Sequence, residues 1–596
     1  MTIVPYQIQP GIVKDTTEVE VGSRYWTDGK NVRFRFGHPE PVGGHEKEAN
    51  WSFTGKPRKA LSWQTNSLDR VTAVGTTSHL YIVLNDERYD ITPLRATSAG
   101  LSNPFTTTDT SAEVTVTDTT HGAAAGDYIV ISGASAVNGI TPDGEYVIDS
   151  VTDADNYVIT HSEAATGTGS GGGTVTIEYL IQTGTDMPVA GLGWGASQWS
   201  NETWGDERSS STIVAQETTL WSLDVWGEDL VACRVNGAIY LWDASVGTGT
   251  RAAVLTNSPT SARFVVISNP DRHVVAFGAH DGTFQDYMNV AWSDQEDNTT
   301  WTPAATNTAG DFRVKIGTKL VTAVSTQDTI LVLTDDAAYQ QYFQGPPFTF
   351  GFRSVGTSCG ALSQNSLVDI AGIPHWVGIE NFFQFTGSVK TLACPIRRYV
   401  FDDLNQSHRD KVFSGKNEKY NEWWVFYPSG TSTECDKFAI FNYAEGHWSI
   451  GELSRTAWTD RESYLNDPIA FDSDGNQYYH ERGTNADTSA LDNYVESGYI
   501  SLTEQTGAEA DRLILVDSFI PDFEDLTGTV TLTVTTKKYP QTSETVKGPF
   551  DITSSTQKVD FRAKGRQFKI KIASNELGAD WRSGKIRMNV KPSSGR

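Results

Sequence analysis

The chain has few cysteines, no long apolar run and, through much of its first third, no positive charge. Its four cysteines, Cys233, Cys359, Cys394 and Cys435, are widely separated and form no C-x-x-C. That excludes a disulfide scaffold and a zinc ligand set, and it suits a reducing compartment. No apolar stretch approaches the roughly 18 residues needed to cross a bilayer as a helix. The opening segment, residues 1–11, has neither a basic nor an apolar signal region, so the expectation is synthesis and assembly in the cytoplasm. No Lys or Arg lies between Arg95 and Arg208, where fifteen acidic residues fall. With a formal net charge of -26, the chain lacks the basic footprint that a tight grip on nucleic acid requires.

What is present points to β structure. Gly (53), Trp (17), Tyr (22) and Phe (26) are plentiful, and Thr, Ser and Val recur. Aromatic and β-branched residues suit a pleated, half-buried surface, and Gly supplies tight turns. At 596 residues the chain has room for roughly two to four domains. The positive charge is concentrated at the end: Lys558 to Arg596 carries eleven Lys or Arg against Asp560, Glu576 and Asp580. Such asymmetry bears on association and not on fold.

A short strand with paired aromatics repeats along the chain. It appears as Leu80-Tyr81-Ile82-Val83, Ile239-Tyr240-Leu241-Trp242, Val290-Ala291-Trp292, Tyr339-Gln340-Gln341-Tyr342, Phe382-Phe383-Gln384-Phe385, Phe438-Ala439-Ile440-Phe441 and Gln477-Tyr478-Tyr479. From Tyr240 onward the spacing is roughly 40–55 residues, that of four-stranded propeller blades. Asn236-Gly237, Asp281-Gly282 and Asp474-Gly475-Asn476 read as hairpin turns between strands. The fold expected is therefore all-β: a β-propeller with an inserted small β domain and a C-terminal β-sandwich-like domain.

The expected boundaries follow from composition. Residues 1–103 hold an N-terminal segment and the first blade. Residues 104–176 are an acidic, Trp-free insert whose alternating runs, such as Tyr128-Ile129-Val130-Ile131 and Tyr157-Val158-Ile159, read as a small sandwich placed at a loop tip. Residues 177–498 carry the remaining blades, with a short helix near 396–412 where Ile396, Val400, Phe401 and Leu404 recur at helical spacing. Residues 499–596 form a C-terminal β domain, from the alternation in Val530-Thr531-Leu532-Thr533-Val534 and Phe568-Lys569-Ile570-Lys571-Ile572.

Several local patterns touch on chemistry. Gly356-Thr357-Ser358-Cys359-Gly360 matches the G-x-S-x-G nucleophile elbow, but residues 361–370 show no helical period, and a turn between strands is the reading preferred. Asp472-Ser473-Asp474-Gly475-Asn476 resembles the start of a calcium loop. It lacks the Glu at position twelve, which is Gly483 here, so a hairpin turn is preferred and a weak calcium site is the alternative. Residues 167–173 are glycine-dense without the Lys and Ser/Thr of a phosphate loop. Asp294-Gln295-Glu296-Asp297 reads as a solvated turn. Trp194, Trp199 and Trp204, interleaved with Gly193, Gly195 and Gly205, suit a packing or subunit-contact role, with a sugar-stacking platform as the sharper alternative. No residue stands out as catalytic, cofactor-binding or metal-binding, and no cofactor is expected.

The order of several local phrases resembles one phage family. These are Val4-Pro5-Tyr6, the run from Pro10-Gly11-Ile12 to Thr17, Trp26-Thr27-Asp28-Gly29-Lys30-Asn31-Val32-Arg33-Phe34-Arg35, and Val42-Gly43-Gly44. Further on come the run from Leu223-Asp224-Val225-Trp226 to Leu230, Ala291-Trp292-Ser293-Asp294, Thr306 to Asp311, Gly345-Pro346-Pro347-Phe348 and Arg455 to Asp460. Together they resemble the tail nozzle proteins of short-tailed bacteriophages, also called tail tubular protein B or DNA-stabilisation proteins, over nearly the whole chain except the acidic insert. The resemblance implies a non-enzymatic virion tail protein, a β-propeller with accessory β domains. Six copies would ring the channel below the portal adaptor, helping to retain the genome and conduct it on infection. The partners implied are further copies of the chain, the head-tail adaptor, fibre or needle proteins, the host envelope, and DNA passing without sequence-specific contact. An acidic lumen repels DNA and avoids salt-dependent drag. The basic ends, including Arg33, Arg35, Arg566 and Arg587, are then expected to serve protein contacts. The alternative is a receptor- or glycan-binding tail component, including a depolymerase.

Overall fold

The structure is a computed structural model that describes residues 2–21, 25–48, 50–188, 217–345, 347–460, 465–501 and 513–593. Strand outweighs helix, 52% against 4%, so the fold class is all-β. No helix among the described residues is long and apolar enough to cross a membrane.

The aromatic strands organise the chain into antiparallel meanders. Six four-stranded sheets follow sequence order: from Pro57–Gln64 to Glu87–Asp90, Trp221–Trp226 to Ala253–Val254, and Phe264–Ser268 to Gly310–Arg313. Then come Leu320–Ser325 to Thr349–Thr357, Leu367–Ile370 to Val389–Thr391, and Phe413–Asn417 to His447–Glu452. A seventh sheet begins with Ala457–Thr459, Ile469–Phe471 and Gln477–His480, and its next strand is His45–Lys47, from the other end of the chain. Every aromatic repeat read from the sequence falls on the third strand of one of these sheets: Leu80–Leu84, Ile239–Trp242, Asn289–Trp292, Ala337–Gly345, Phe382–Phe385, Lys437–Asn442 and Gln477–His480. A central strand is covered on both faces, which is why bulky apolar residues collect there.

The described residues divide into two compact units. One comprises 54–267 and 272–312. In it Trp63, Leu80 and Ile82 of the first meander pack with Trp221, Leu230 and Trp242 of the second. The glycine-dense run 167–173 contributes an edge strand, Gly169–Gly171, paired with Phe105–Thr107. The acidic insert is two sheets, of four and five strands, around the buried side chains of Phe105, Val116, Ile129, Tyr157, Ile177 and Tyr179. Its outer strands, Leu94–Ser102 and Thr174–Leu180, reach beyond 104–176 and pair with each other.

The other unit comprises 1–53, 268–271 and 313–596. Its helical segment is an α-helix, Arg397–Asp403, followed by a 3-10 helix, Gln406–Lys411. Its C-terminal module also reaches beyond 499–596. Thr2–Tyr6 pairs with Ile586–Pro592, and Tyr25–Lys30 pairs with Asn493–Ser497, which in turn pairs with Gln567–Ser574. The two ends of the chain therefore fold as one two-sheet module. In Val559–Gly565 the alternation is complete: Val559, Phe561 and Ala563 point inward, and Asp560, Arg562 and Lys564 outward.

One packing device recurs in both units. A Cβ on Gly75 would lie 2.4 Å from Cγ of Trp221, whose indole N–H donates to the Thr76 carbonyl at 2.8 Å. A Cβ on Gly415 would lie 2.4 Å from Cδ1 of Trp458, whose indole donates to the Lys416 carbonyl at 3.3 Å. In each case the first strand of one meander lays a tryptophan on a bare glycine of the meander before it, and the indole N–H is satisfied by that backbone.

Candidate functional site

A dense group of buried ionisable side chains lies where the N-terminal segment meets the sixth and seventh meanders. Arg33 sits on Val32–Arg35, which pairs with His38–Pro41. Its Nε lies 2.9 Å from Oε1 of Glu422, and its terminal nitrogens form a two-point contact with Glu481, one arm of it 2.8 Å. All three side chains are at most 2% exposed. The Tyr420 ring lies 3.7 Å from the guanidinium carbon. Glu422 also accepts from the Trp424 indole at 2.9 Å, and Glu481 from Asn417 Nδ2 at 2.9 Å. Glycine is required beside it, because a Cβ on Gly43 would lie 2.3 Å from Oε2 of Glu481.

Burial decides the electrostatics. Desolvation pushes the Glu422 carboxyl up to about 7, against the pull of Arg33. Burial works against the Arg33 charge, but Glu422 and Glu481 outweigh it, and its pKa stands above the ordinary value. Next to this triad, Arg455 donates through Nε to Nε2 of His480 at 3.0 Å, which assigns the proton of that neutral ring to Nδ1. His480 stacks on His45 with centroids 5.4 Å apart. Burial and then the Arg455 charge lower both histidines, His45 to about 3 and His480 well below 6.5. Both rings are therefore neutral at neutral pH.

A polar cleft of about 180 Å³ opens beside the triad, lined by Arg35, Glu40, Tyr420, Glu481, Asp525 and Arg582 among others. Arg582 crosses it to Glu40 at 2.7 Å. Both buried carboxylates are held by one guanidinium, so the arrangement binds the segments that carry residues 33, 422 and 481 together and holds a proton near neutral pH.

The sequence-derived candidates fall elsewhere. Ser358 is exposed with φ of 55°, after the strand Thr349–Thr357, and residues 358–366 form turns and bends with no helix. Asp472 is used up by its turn: Oδ1 accepts from the backbone N–H of Asp474 and Asn476, each at 2.9 Å, and Oδ2 from Asn476 Nδ2 and the Tyr478 hydroxyl. Asp294 likewise accepts from Gln295 and Thr308 inside its own loop. Trp194, Trp199 and Trp204 lie outside the described residues. Arg33, expected at a protein contact, is instead buried within its own chain, because its two carboxylate partners sit behind the strand that carries it. Arg587 is exposed and Arg35 and Arg566 are half-buried.

Sequence reading missed Glu422, Glu481 and Tyr420. The one local signal was a glutamate heading the wholly buried run Glu422–Tyr427, where a charge demands a partner. Among the described residues one trio of metal-ligating side chains converges, His79, Asp90 and Glu145, in the unit that carries the insert.

No family model matches the chain, and no curated protein matches it in sequence. Among solved structures it is similar to the endosialidase of phage phi92, at 11% identity and a TM-score of 0.21, over 80% of this chain and 73% of that one. It is also similar to an S. cerevisiae assembly of Dbp5 with Nup159 and Gle1, at 12% and 0.22, over 39% and 57% of the two chains. The N-terminal domain of Nup159 follows at 9% and 0.27, over 46% and 80%. None reaches a TM-score from which a shared fold follows.

Proposed function

We propose that the chain is a non-enzymatic structural subunit of a bacteriophage tail, with the meanders as blades of a propeller-type array, and that its specific place is the tail nozzle. The observation that supports this most is the coincidence of two independent readings. The ordered phrases that resemble nozzle proteins include Trp26 to Arg35, Val42-Gly43-Gly44 and Arg455 to Asp460, and these supply Arg33, Gly43 and Arg455 of the buried clasp. They also include Leu223 to Leu230, the hairpin of the second meander. Several of the resembling segments thus supply joints of this fold, while Thr306 and Phe348, in two others, are exposed. Engagement of the paired carboxylates by Arg33 supports a structural role over glycoside cleavage, which needs one free acid and one free base or nucleophile.

A glycan-binding tail component is the second reading. It is favoured by the aromatics that stand out on one meander: Phe284, Tyr287 and Phe312 are all exposed, and stacking on a sugar ring needs such faces. Two experiments separate the readings. Purified chain mixed with portal-adaptor complex is expected to give a defined ring of copies by mass measurement. Incubated with host capsular or lipopolysaccharide, it is expected neither to bind nor to shorten the polymer. Polymer cleavage without ring formation would establish the second reading in place of the first.

A further inference from the structure

We propose that His79, Asp90 and Glu145 form a divalent cation site of the zinc class that fastens the acidic insert to the first meander. His79 lies in the turn before Leu80–Leu84, Asp90 ends the strand Glu87–Asp90, and Glu145 lies on the insert's strand Gly144–Val147. Their ligand atoms all lie within 4.8 Å of one another.

The histidine provides the independent observation. Its side chain is fully buried, and its Nε2 makes no hydrogen bond although Oε2 of Glu145 lies 3.3 Å away. The Ser78 hydroxyl donates to the Thr54 carbonyl at 3.2 Å and lies 2.7 Å from the His79 Nδ1. A hydroxyl has one hydrogen, so with that hydrogen on Thr54 it accepts from Nδ1–H. With the ring hydrogen on Nδ1, the lone pair of Nε2 faces the Glu145 carboxylate. A metal ion or a proton between the two atoms removes their repulsion, and their spacing is that of ligands on one metal ion. A metal-ligating histidine commonly has its other nitrogen fixed by such a hydrogen bond.

The donor set fits the ion. One imidazole nitrogen and two carboxylate oxygens suit zinc, with water completing the shell. Ligands at about 2.0–2.1 Å around a tetrahedral ion stand about 3.3–3.4 Å apart, which is the Nε2 to Oε2 separation. Asp90 Oδ2 also accepts from Arg251 at 2.7 Å, and Oδ1 from the Thr92 backbone N–H at 2.9 Å and from its hydroxyl. Each carboxylate oxygen offers two lone pairs, so these contacts leave capacity for an ion. Arg251 also lies 3.6 Å from Glu178 of the insert, so one cation already bridges acids of the meander and the insert at this seam. Glu145 is 36% exposed along its side chain, which gives an ion a way in and lets the carboxylate rotate onto it.

The test uses the full chain, stripped with chelator and titrated with Zn²⁺ by calorimetry. Wild type is expected to take up one equivalent with a rise in Tm, and Co²⁺ in its place to show the visible absorption of a tetrahedral site. Glu145→Gln, an exposed change that leaves the fold in place, is expected to weaken uptake at least tenfold, with a Tm in chelator equal to wild type. His79→Gln is expected to abolish the Co²⁺ spectrum. No stoichiometric uptake by wild type, or equal uptake by Glu145→Gln, would overturn the assignment and leave only the direct contact of His79 with Glu145.

Discussion

At the scale of single residues, Arg33 is the most consequential side chain described. It is the shared counter-charge of Glu422 and Glu481, and removing one partner of a buried ion group costs about 3–5 kcal/mol. Arg33→Ala is therefore expected to lower unfolding stability by about that amount in urea denaturation, far beyond the effect of Arg587→Ala at an exposed position. Equal effects of the two substitutions would show that the triad does not hold the fold. The same cluster sets a pH signature. The folded Glu422 carboxyl titrates near 7 against an ordinary 4.5, so between those values the folded chain keeps a proton that the unfolded chain has released, and stability falls as pH rises. His45 and His480 act in the opposite sense. Lowered from 6.5, they stay neutral while the unfolded chain takes up protons, so stability falls as pH drops below 6.5. Between pH 4.5 and 6.5 the two histidines outweigh the one carboxyl. Glu422→Gln removes the opposing proton and is expected to steepen acid destabilisation by about 1.4 kcal/mol per pH unit. Denaturation midpoints at several pH values measure this, and an unchanged slope would refute it.

At the scale of elements, the glycine and tryptophan contacts between successive meanders set how closely their faces approach. A side chain at Gly75 or Gly415 has no room beneath Trp221 or Trp458, and overpacking of this kind costs about 1–3 kcal/mol. Gly75→Val and Gly415→Val are each expected to lower Tm, while Gly387→Ala, in open space but at φ of 85°, costs only backbone strain. Comparable loss at all three would show that the close approach is not what matters. This scale is also where the sequence was most and least informative. The aromatic strands were legible because a third strand covered on both faces needs bulky apolar residues, and that need is local. The helix at Arg397–Asp403 was legible from its spacing. The strand His45–Lys47 in the seventh sheet and Thr2–Tyr6 against Ile586–Pro592 were not, since each pairs with residues more than 400 positions away and is too short to show a period. The clasp was illegible for the same reason: Arg33, Glu422 and Glu481 have ordinary neighbours, and only the fold joins them.

At the scale of the whole molecule, charge is segregated along the chain. Residues 96–207, which span the insert 104–176, carry acids with no Lys or Arg, while the last strands carry most of the terminal positive charge. A channel wall that carries DNA without holding it should repel phosphate within about 8–10 Å at physiological salt, and a subunit of net charge -26 suits that task. The proposed ring, if joined by basic terminal strands and acidic neighbours, should weaken as salt rises; sedimentation of assembled rings at rising ionic strength checks this, with salt-independent rings as the contrary result. The most direct test of the structural-subunit reading is a single-particle reconstruction of the virion that carries this chain. Six copies are expected around the tail axis, between the portal adaptor and the distal tip, with acidic side chains facing the bore. A reconstruction that places the chain at the tail periphery as a spike, or lines the bore with Lys and Arg, would contradict it.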